Sequence, residues 1–141
     1  MLRMEDMSRI GQLGARGAAA FCIALGLFQI ALAVGAPWGE MTWGGSTAVL
    51  STGMRAASAG AAVYLALAGS AMLVRSGDWG RSSPQAPFRW FNAFLAVQLA
   101  LNTAADLASH SVAERYGMGA ASALGLLLCV CALFAVKDRR V

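Results

Sequence analysis

The sequence predicts an all-α fold, an antiparallel four-helix transmembrane bundle. The composition is far from that of a soluble domain, because 58% of the 141 residues are hydrophobic and only 13% are charged. Four apolar stretches are also long enough to cross a hydrocarbon core of about 30 Å at about 1.5 Å per residue. They cover residues 17–36, 56–74, 90–109 and 116–136. Little chain is left for a soluble domain, so residues 1–141 are predicted to form a single transmembrane domain.

Helices are favoured over a β-barrel for these spans. In lipid, every backbone polar group must be satisfied by protein, and only helices and closed barrels achieve this. Long apolar runs without alternation do not fit barrel strands. Connections as short as residues 109–116 favour antiparallel neighbours in an up-and-down bundle.

The basic residues predict the orientation of the bundle. Nine of the 11 lysines and arginines lie in the N-terminal segment, the middle loop and the C-terminal tail. The other two, Arg55 and Arg115, flank the remaining loops. The positive-inside rule therefore predicts cytoplasmic N- and C-termini in a bacterial-type inner membrane, which four spans make self-consistent. The net charge of +4 follows from this distribution and does not indicate nucleic-acid binding.

Residues 1–16 precede the first predicted span. Met4, Met7, Ile10 and Leu13 recur every three residues between charges, which fits a short interfacial helix, with a frayed polar leader as the alternative. A cleaved signal peptide is a third interpretation. The apolar run that follows is longer than a typical signal-peptide core of about 7–15 residues, so we expect it to be retained as the first span.

The first connection, residues 35–45, reads GAPWGEMTWGG. Pro37 ends the first span, the glycines permit turns with positive φ, and Trp38 and Trp43 suit a membrane interface. The segment is therefore expected to fold back over the outer mouth of the bundle, where Glu40 would join the polar groups of the helices. The alternative is a plain aromatic anchor loop.

Small residues recur every four positions in the second and fourth spans. Close backbone approach and dispersion hold helices together in lipid, and small side chains permit both. A tight bundle is therefore expected at these positions, which are Ser58, Ala62, Ala66, Ala121 and Gly125.

A polar stripe runs along the third span. Gln98, Asn102 and Asp106 lie at i, i+4 and i+8, with Ser109 close to the same direction. Because polar groups are costly against lipid, the stripe is predicted to face the bundle interior. Its side chains either form hydrogen bonds between helices, each stabilising the bundle by about 0.6 kcal/mol, or line a cavity that holds a ligand or water.

Asp106 is expected within about one turn of the outer surface. Arg55 begins the second span on that side, and Arg115 lies in the last connection. An ion pair of Asp106 with Arg55 or Arg115 is therefore predicted, and a structural role is favoured over a catalytic one.

The sequence carries no recognisable catalytic or metal-binding set. Cys22, Cys129 and Cys131 are predicted in the inner half of the membrane as small apolar filler. The single histidine, His110, cannot supply both axial ligands of a bis-histidine haem. No nucleophile–base pair and no G-x-S-x-G turn is present. We therefore expect no metal, no cofactor and no catalytic residue.

Three motifs together resemble those of an uncharacterised family of small bacterial four-span integral membrane proteins. They are GAPWGEMTWGG, MRAAS at the start of the second span, and the region from Asn102 to Arg115 with its Asn, Ser, Glu-Arg order. The chain departs from the family pattern at Thr52-Gly53-Met54, where members often have Leu-Pro before the arginine. The resemblance implies the four-span architecture and no activity.

These patterns favour a non-enzymatic binding or accessory protein with an outward-facing polar cavity, which recognises a small amphiphile, a membrane lipid or a partner membrane helix. A small transporter is the first alternative and would need the stripe to continue as a wet path to the cytoplasm. An intramembrane enzyme on a lipid-like substrate, with Asp106 and Glu40 as acid and base, is the second. The sequence leaves a homo-oligomer and a partner membrane protein both open. The expected ligand-binding residues are Gln98, Asn102, Asp106, Arg55, Glu40, Trp38 and Trp43.

Overall fold

The computed structural model describes residues 3–80 and 82–135. Within these residues the chain is all-helical, with four long helices and no strand, so the predicted all-α class is confirmed. A 3-10 turn, Gly39–Met41, follows the first helix, and a π-helical turn, Glu114–Met118, leads into the last. The long helices are α1 (Met4–Ala33), α2 (Thr52–Ser76), α3 (Gln85–Ala108) and α4 (Gly119–Ala132).

Some residues used in the sequence argument lie outside the described part of the chain. They are Arg81 of the middle loop, Val136 at the end of the fourth predicted span, and the tail residues Lys137, Arg139 and Arg140.

Three helical segments are long and apolar enough to cross a membrane. They are Met4–Ala33, Thr52–Ser76 and Glu114–Ala132, the last combining the π turn with α4. They support the membrane assignment that the composition predicts. α3 has 24 residues and is long enough as well, but polar side chains such as Asn92 and Gln98 lower its mean hydropathy.

α1 begins earlier than predicted. It is one continuous helix of 30 residues from Met4, so its first half is neither a separate interfacial helix nor a frayed leader. This half contains glycines, which are poor helix formers, but α4 and the residues that follow it pack directly against them. A Cβ added at Gly11 would overlap the backbone of Ala135, and one at Gly14 would lie 2.5 Å from the Cβ of Cys131. Tertiary contact with α4 therefore stabilises this part of α1.

The buried core combines small side chains with a few leucines and one methionine. α1 packs most extensively against α2 and also against α4, while α3 packs against α4. Where α1 meets α2, the position that a Cβ of Gly69 would occupy lies 3.4 Å from the Cβ of Cys22. Cys22 and Cys129 are both buried members of this core, consistent with their predicted role as filler.

The predicted small-residue positions are only partly those that pack. Ser58 and Gly125 are buried, and the ring of Phe21 lies against Gly125. Ala62 and Ala121 are half-buried, whereas Ala66 is exposed. On α2 the seam instead follows Leu65, Ala68, Gly69 and Met72, because larger side chains also fit where α1 presents alanine and glycine.

Candidate functional site

A cavity of about 350 Å³ lies between the helices beneath the 35–45 loop. We call it the polar cavity. Its volume is near the lower end of the range of about 300–1,000 Å³ for ligand pockets. The polar side chains that line it are Gln29, Thr42, Trp43, Tyr64, Gln98, Asn102, Asp106, Glu114 and Ser122. The larger apolar ones are Leu25, Leu65, Leu95, Leu99 and Met118.

The polar stripe of α3 lines this cavity. Gln98, Asn102 and Asp106 all contribute to its wall, so the structure brings these three predicted residues together. Tyr64 of α2 donates its hydroxyl hydrogen bond to Gln98 Oε1 at 2.6 Å. Gln98 therefore bridges α2 and α3, while Asn102 is exposed at the edge of the stripe.

Asp106 has a hydroxyl partner and not an arginine. Ser122 Oγ of α4 donates to Asp106 Oδ2 at 2.8 Å. Within the described residues neither Arg55 nor Arg115 forms an ion pair with Asp106. The predicted ion pair is therefore wrong, and Asp106 contributes a carboxyl group to the wall of the polar cavity.

The two arginines instead bind backbone carbonyls at the ends of helices. Arg55 Nε donates to the Ala33 carbonyl at 2.8 Å. Arg115 donates through Nε and one terminal nitrogen to the Ser109 carbonyl, at 3.1 and 2.8 Å. The last carbonyls of a helix lack intrahelical partners and carry partial negative charge. They therefore attract the two guanidinium groups that the sequence had paired with Asp106.

The 35–45 loop is hydrogen-bonded to the helices around the polar cavity. Trp43 Nε1 donates to Ser58 Oγ of α2 at 3.0 Å. The Gly44 backbone N–H donates to Glu114 Oε1 at 3.0 Å. The loop thus folds back onto the helices, as the sequence predicts, and Trp43 forms part of the cavity wall.

A short left-handed stretch of backbone places Trp43 there. Trp43 has φ of 55°, which is uncommon for a residue other than glycine, and φ is 84° at Gly44 and 63° at Gly45. A Cβ at Gly45 would overlap the side chain of Ser111. Only glycine fits at that position, so the WGG end of the motif has a steric explanation.

Three of the predicted site residues do not line the polar cavity. Arg55 binds the end of α1, as described above. Trp38 stacks on Phe28, with ring centroids 6.2 Å apart and ring planes 5° from parallel. Glu40 is exposed, and its backbone carbonyl accepts a hydrogen bond from Ser111 Oγ at 2.7 Å.

Five polar residues of the polar cavity were not among the predicted ligand-binding residues, and one of them, Thr42, lies in the 35–45 loop itself. Gln29 is the one strongly polar side chain between residues 17 and 36. A single polar residue in an apolar span often marks a functional site, so the sequence could have indicated this one. Glu114 enters through the π turn, a feature that the sequence pattern does not reveal. Tyr64 and Ser122 carry no signal, because their direction depends on how the helices pack.

The polar cavity is rich in hydrogen-bond acceptors. Gln29 is only 7% exposed, and its Oε1 has no partner within the described residues. Asp106 and Glu114 add two carboxyl groups, and no lysine, arginine or histidine is among the lining residues that the structure describes. A buried acceptor without a partner is unfavourable, so the arrangement suits a ligand that donates hydrogen bonds or carries positive charge.

Comparison with known proteins returns no relative. No family model matches the chain. No curated protein and no solved structure is significantly similar to it. The chemistry of the polar cavity therefore rests on its own geometry.

Proposed function

We propose that the chain is an antiparallel bundle of four membrane-spanning helices, with α3 as the fourth span. Phe94, Val97 and Leu101 of α3 are 59%, 61% and 67% exposed. They lie on the side of the helix away from the buried Asn92 and Leu99. An exposed apolar face of this kind fits lipid contact, and the polar residues that lower the mean hydropathy of α3 belong to other faces.

We also propose that both termini are cytoplasmic in a bacterial-type inner membrane, and that the chain belongs to the family suggested by GAPWGEMTWGG. The positive-inside rule supports the orientation. Arg16 of α1 pairs with Asp78 of the α2–α3 connection at 2.7 Å, so two of the arginine-rich segments meet at one end of the molecule. That end is opposite to the polar cavity, which would then open outward.

The proposed function is non-enzymatic binding of a small amphiphile in the polar cavity. The observation that carries it is Gln29 Oε1, which has no partner within the described residues and lines the same cavity as the carboxyl groups of Asp106 and Glu114. An amine or hydroxyl headgroup would donate to these acceptors. A short apolar tail would lie against leucines such as Leu65 and Leu99. An anionic headgroup is disfavoured, because the described lining residues include two carboxyl groups and no lysine, arginine or histidine.

Transport and catalysis receive less support. Leu65, Leu95 and Leu99 are buried below the polar groups and join the packed core, which opposes a wet path to the cytoplasm. The enzyme hypothesis needs Asp106 and Glu40 together as acid and base. Glu40 is not among the residues that line the polar cavity with Asp106.

Ligand-induced thermal stabilisation of the detergent-purified full chain tests the binding proposal. Short alkyl amines and alkyl sulfates of equal chain length serve as probes, because a ligand that binds only the folded state raises the melting temperature. We expect the amine to stabilise the protein and the sulfate not to. Asp106→Asn should reduce the effect of the amine, while Glu40→Gln, which removes a carboxylate outside the cavity, should not. Equal stabilisation by both probes, or equal effects of both variants, would contradict the proposal.

A further inference from the structure

A second cavity, of about 840 Å³, lies at the opposite end of α1 and α2. We call it the basic cleft. Its lining comes from the start of α1, the end of α2, the start of α3 and the residues that follow α4. The side chains that matter for its chemistry are Arg75, Arg89, Gln85, Met7, Trp90 and Phe134.

Arg75 is a buried cation that has no acidic partner among the described residues. It is 5% exposed, and its terminal nitrogens donate to Gln85 Oε1 at 3.2 Å and to the carbonyls of Ala132 and Ala135 at 2.8 and 2.9 Å. These acceptors are all neutral, and Nε has no partner within the described residues. A buried charge is normally balanced by an opposite charge, and residues 3–80 and 82–135 supply none to this guanidinium.

Arg89 adds a second positive charge to the same cleft. It is exposed, and no hydrogen bond or ion pair holds it in the described part of the chain. No aspartate or glutamate is among the described lining residues. Two guanidinium groups that face one cleft repel each other, and an anion between them would relieve that repulsion.

The remaining walls of the basic cleft are apolar and open. Trp90 is 77% exposed and Phe134 is 46% exposed, and Met7 lies on the α1 side. A free inorganic anion would use only the arginines. An amphiphilic anion would use both the arginines and this apolar surface.

We propose that the basic cleft binds the phosphate headgroup of an anionic phospholipid. Arg89 contacts the phosphate oxygens through its fork of N–H donors, a geometry that suits phosphate. Arg75 contributes positive charge from below, and an acyl chain lies along Trp90 and Phe134. The site is independent of the polar cavity, whose acceptors suit the opposite ligand charge.

Lipid retention measured by native mass spectrometry tests this proposal on the full chain. The probes are phosphatidylglycerol and the zwitterionic phosphatidylcholine with the same acyl chains, each added to the detergent-purified protein. Arg89→Gln is the informative variant, because Arg89 forms no hydrogen bond or ion pair with the rest of the described chain. Arg9→Gln is the matched control, since Arg9 is also an exposed arginine at this end of α1 but does not line the cleft.

We expect the wild type to retain phosphatidylglycerol over phosphatidylcholine. Arg89→Gln should weaken this retention about tenfold, the order expected for one charged hydrogen-bonding contact, and Arg9→Gln should leave it unchanged. Equal retention of the two lipids, or equal loss in the two variants, would overturn the proposal. Displacement of the lipid by millimolar inorganic phosphate would show a free-anion site instead, and would overturn the assignment to lipid.

Discussion

Glu114 joins the 35–45 loop to the helices. Its two carboxylate oxygens accept hydrogen bonds from the Gly44 N–H and the Ser109 hydroxyl, and the residue is only 6% exposed. It stands in the π turn, a geometry that often occurs at functional sites. The Glu114 carboxylate therefore lines the polar cavity and also holds the 35–45 loop against the helices.

Glu114→Gln should therefore destabilise the protein. The amide keeps one acceptor oxygen but turns the other position into a donor, which leaves either Gly44 or Ser109 without its acceptor. We expect a loss of about 1–3 kcal/mol in the free energy of unfolding, seen as a lower melting temperature in detergent. Glu40→Gln removes an exposed carboxylate of the same loop and should change the melting temperature little. Equal effects of the two substitutions would argue against the anchoring role.

The two tryptophans of the loop should differ in their effect on ligand release. Trp43 lines the polar cavity and donates a hydrogen bond to Ser58 Oγ, so Trp43→Phe removes a bond that holds the 35–45 loop in place. We expect faster dissociation of a bound short alkyl amine, followed by stopped-flow displacement. Trp38→Phe keeps an aromatic ring on Phe28 and should leave the dissociation rate unchanged. Unchanged release in both variants would reduce the loop to a membrane anchor.

Residue spacing predicted the polar stripe of α3 but not its partners. The i, i+4, i+8 pattern fixes a direction on one helix, and Gln98, Asn102 and Asp106 do share a wall. Opposite charge suggested Arg55 or Arg115 as the partner of Asp106. The sequence pattern does not show that helix ends offer competing carbonyls, and both arginines bind there.

Arginine binding to helix C-termini recurs across three of the elements. Arg55 binds the last turn of α1, Arg115 the C-cap of α3, and Arg75 the end of α4. Near hydrocarbon, water is scarce and unsatisfied carbonyls are costly. A long cationic side chain from a neighbouring element satisfies them and favours the negative end of the helix dipole.

Arg55→Gln should loosen the end of α1. The shorter neutral side chain loses the charge-assisted bond to Ala33, with an expected cost of about 1–3 kcal/mol. Faster amide hydrogen exchange confined to the last turn of α1 and the following loop would report this loss. Arg9→Gln, an exposed arginine of the same helix, serves as the control. Protection at that turn equal to the wild type would show that Arg55 is not the cap.

Glycine at the α1–α4 contact should be more sensitive to substitution than glycine on an open face. A Cβ at Gly125 would lie 2.6 Å from Phe21 Cε1, so Gly125→Ala should cost about 1–3 kcal/mol through overpacking. Gly60 of α2 has open space around its Cβ position, and Gly60→Ala should be neutral or stabilising by up to about 1 kcal/mol. Melting temperatures of the two variants compare them directly. Adding Phe21→Leu to Gly125→Ala should recover part of the loss, and failure to recover would point away from the ring contact.

At the scale of the whole molecule, many of the buried side chains are small, and many large apolar side chains are exposed. Ala15, Ala18 and Ala68 are almost fully buried, while Leu27 and Leu67 are more than 60% exposed. Composition and span length are enough to predict the all-α class, because lipid permits few other structures. They do not predict the two cavities, since a cavity depends on how far neighbouring helices separate.

Cysteine labelling from outside intact cells tests the four-span proposal. In a variant without the three native cysteines, Ser46→Cys, Ser82→Cys and Val112→Cys place one thiol in each connection. With α3 as a span, positions 46 and 112 should react with a membrane-impermeant maleimide and position 82 should react only after lysis. Labelling of positions 82 and 112 from the same side would show that α3 does not cross.

The glycine-lined contact between the first half of α1 and the end of α4 also constrains the order of assembly. Of the four long helices, α1 is synthesised before the others and α4 after them. Until α4 has been synthesised, Gly11 and Gly14 have no surface to pack against, and this half of α1 has only its weak intrinsic helix propensity. This contact therefore forms only after α4 has been synthesised, and a chain that ends before α4 would leave the first half of α1 without it.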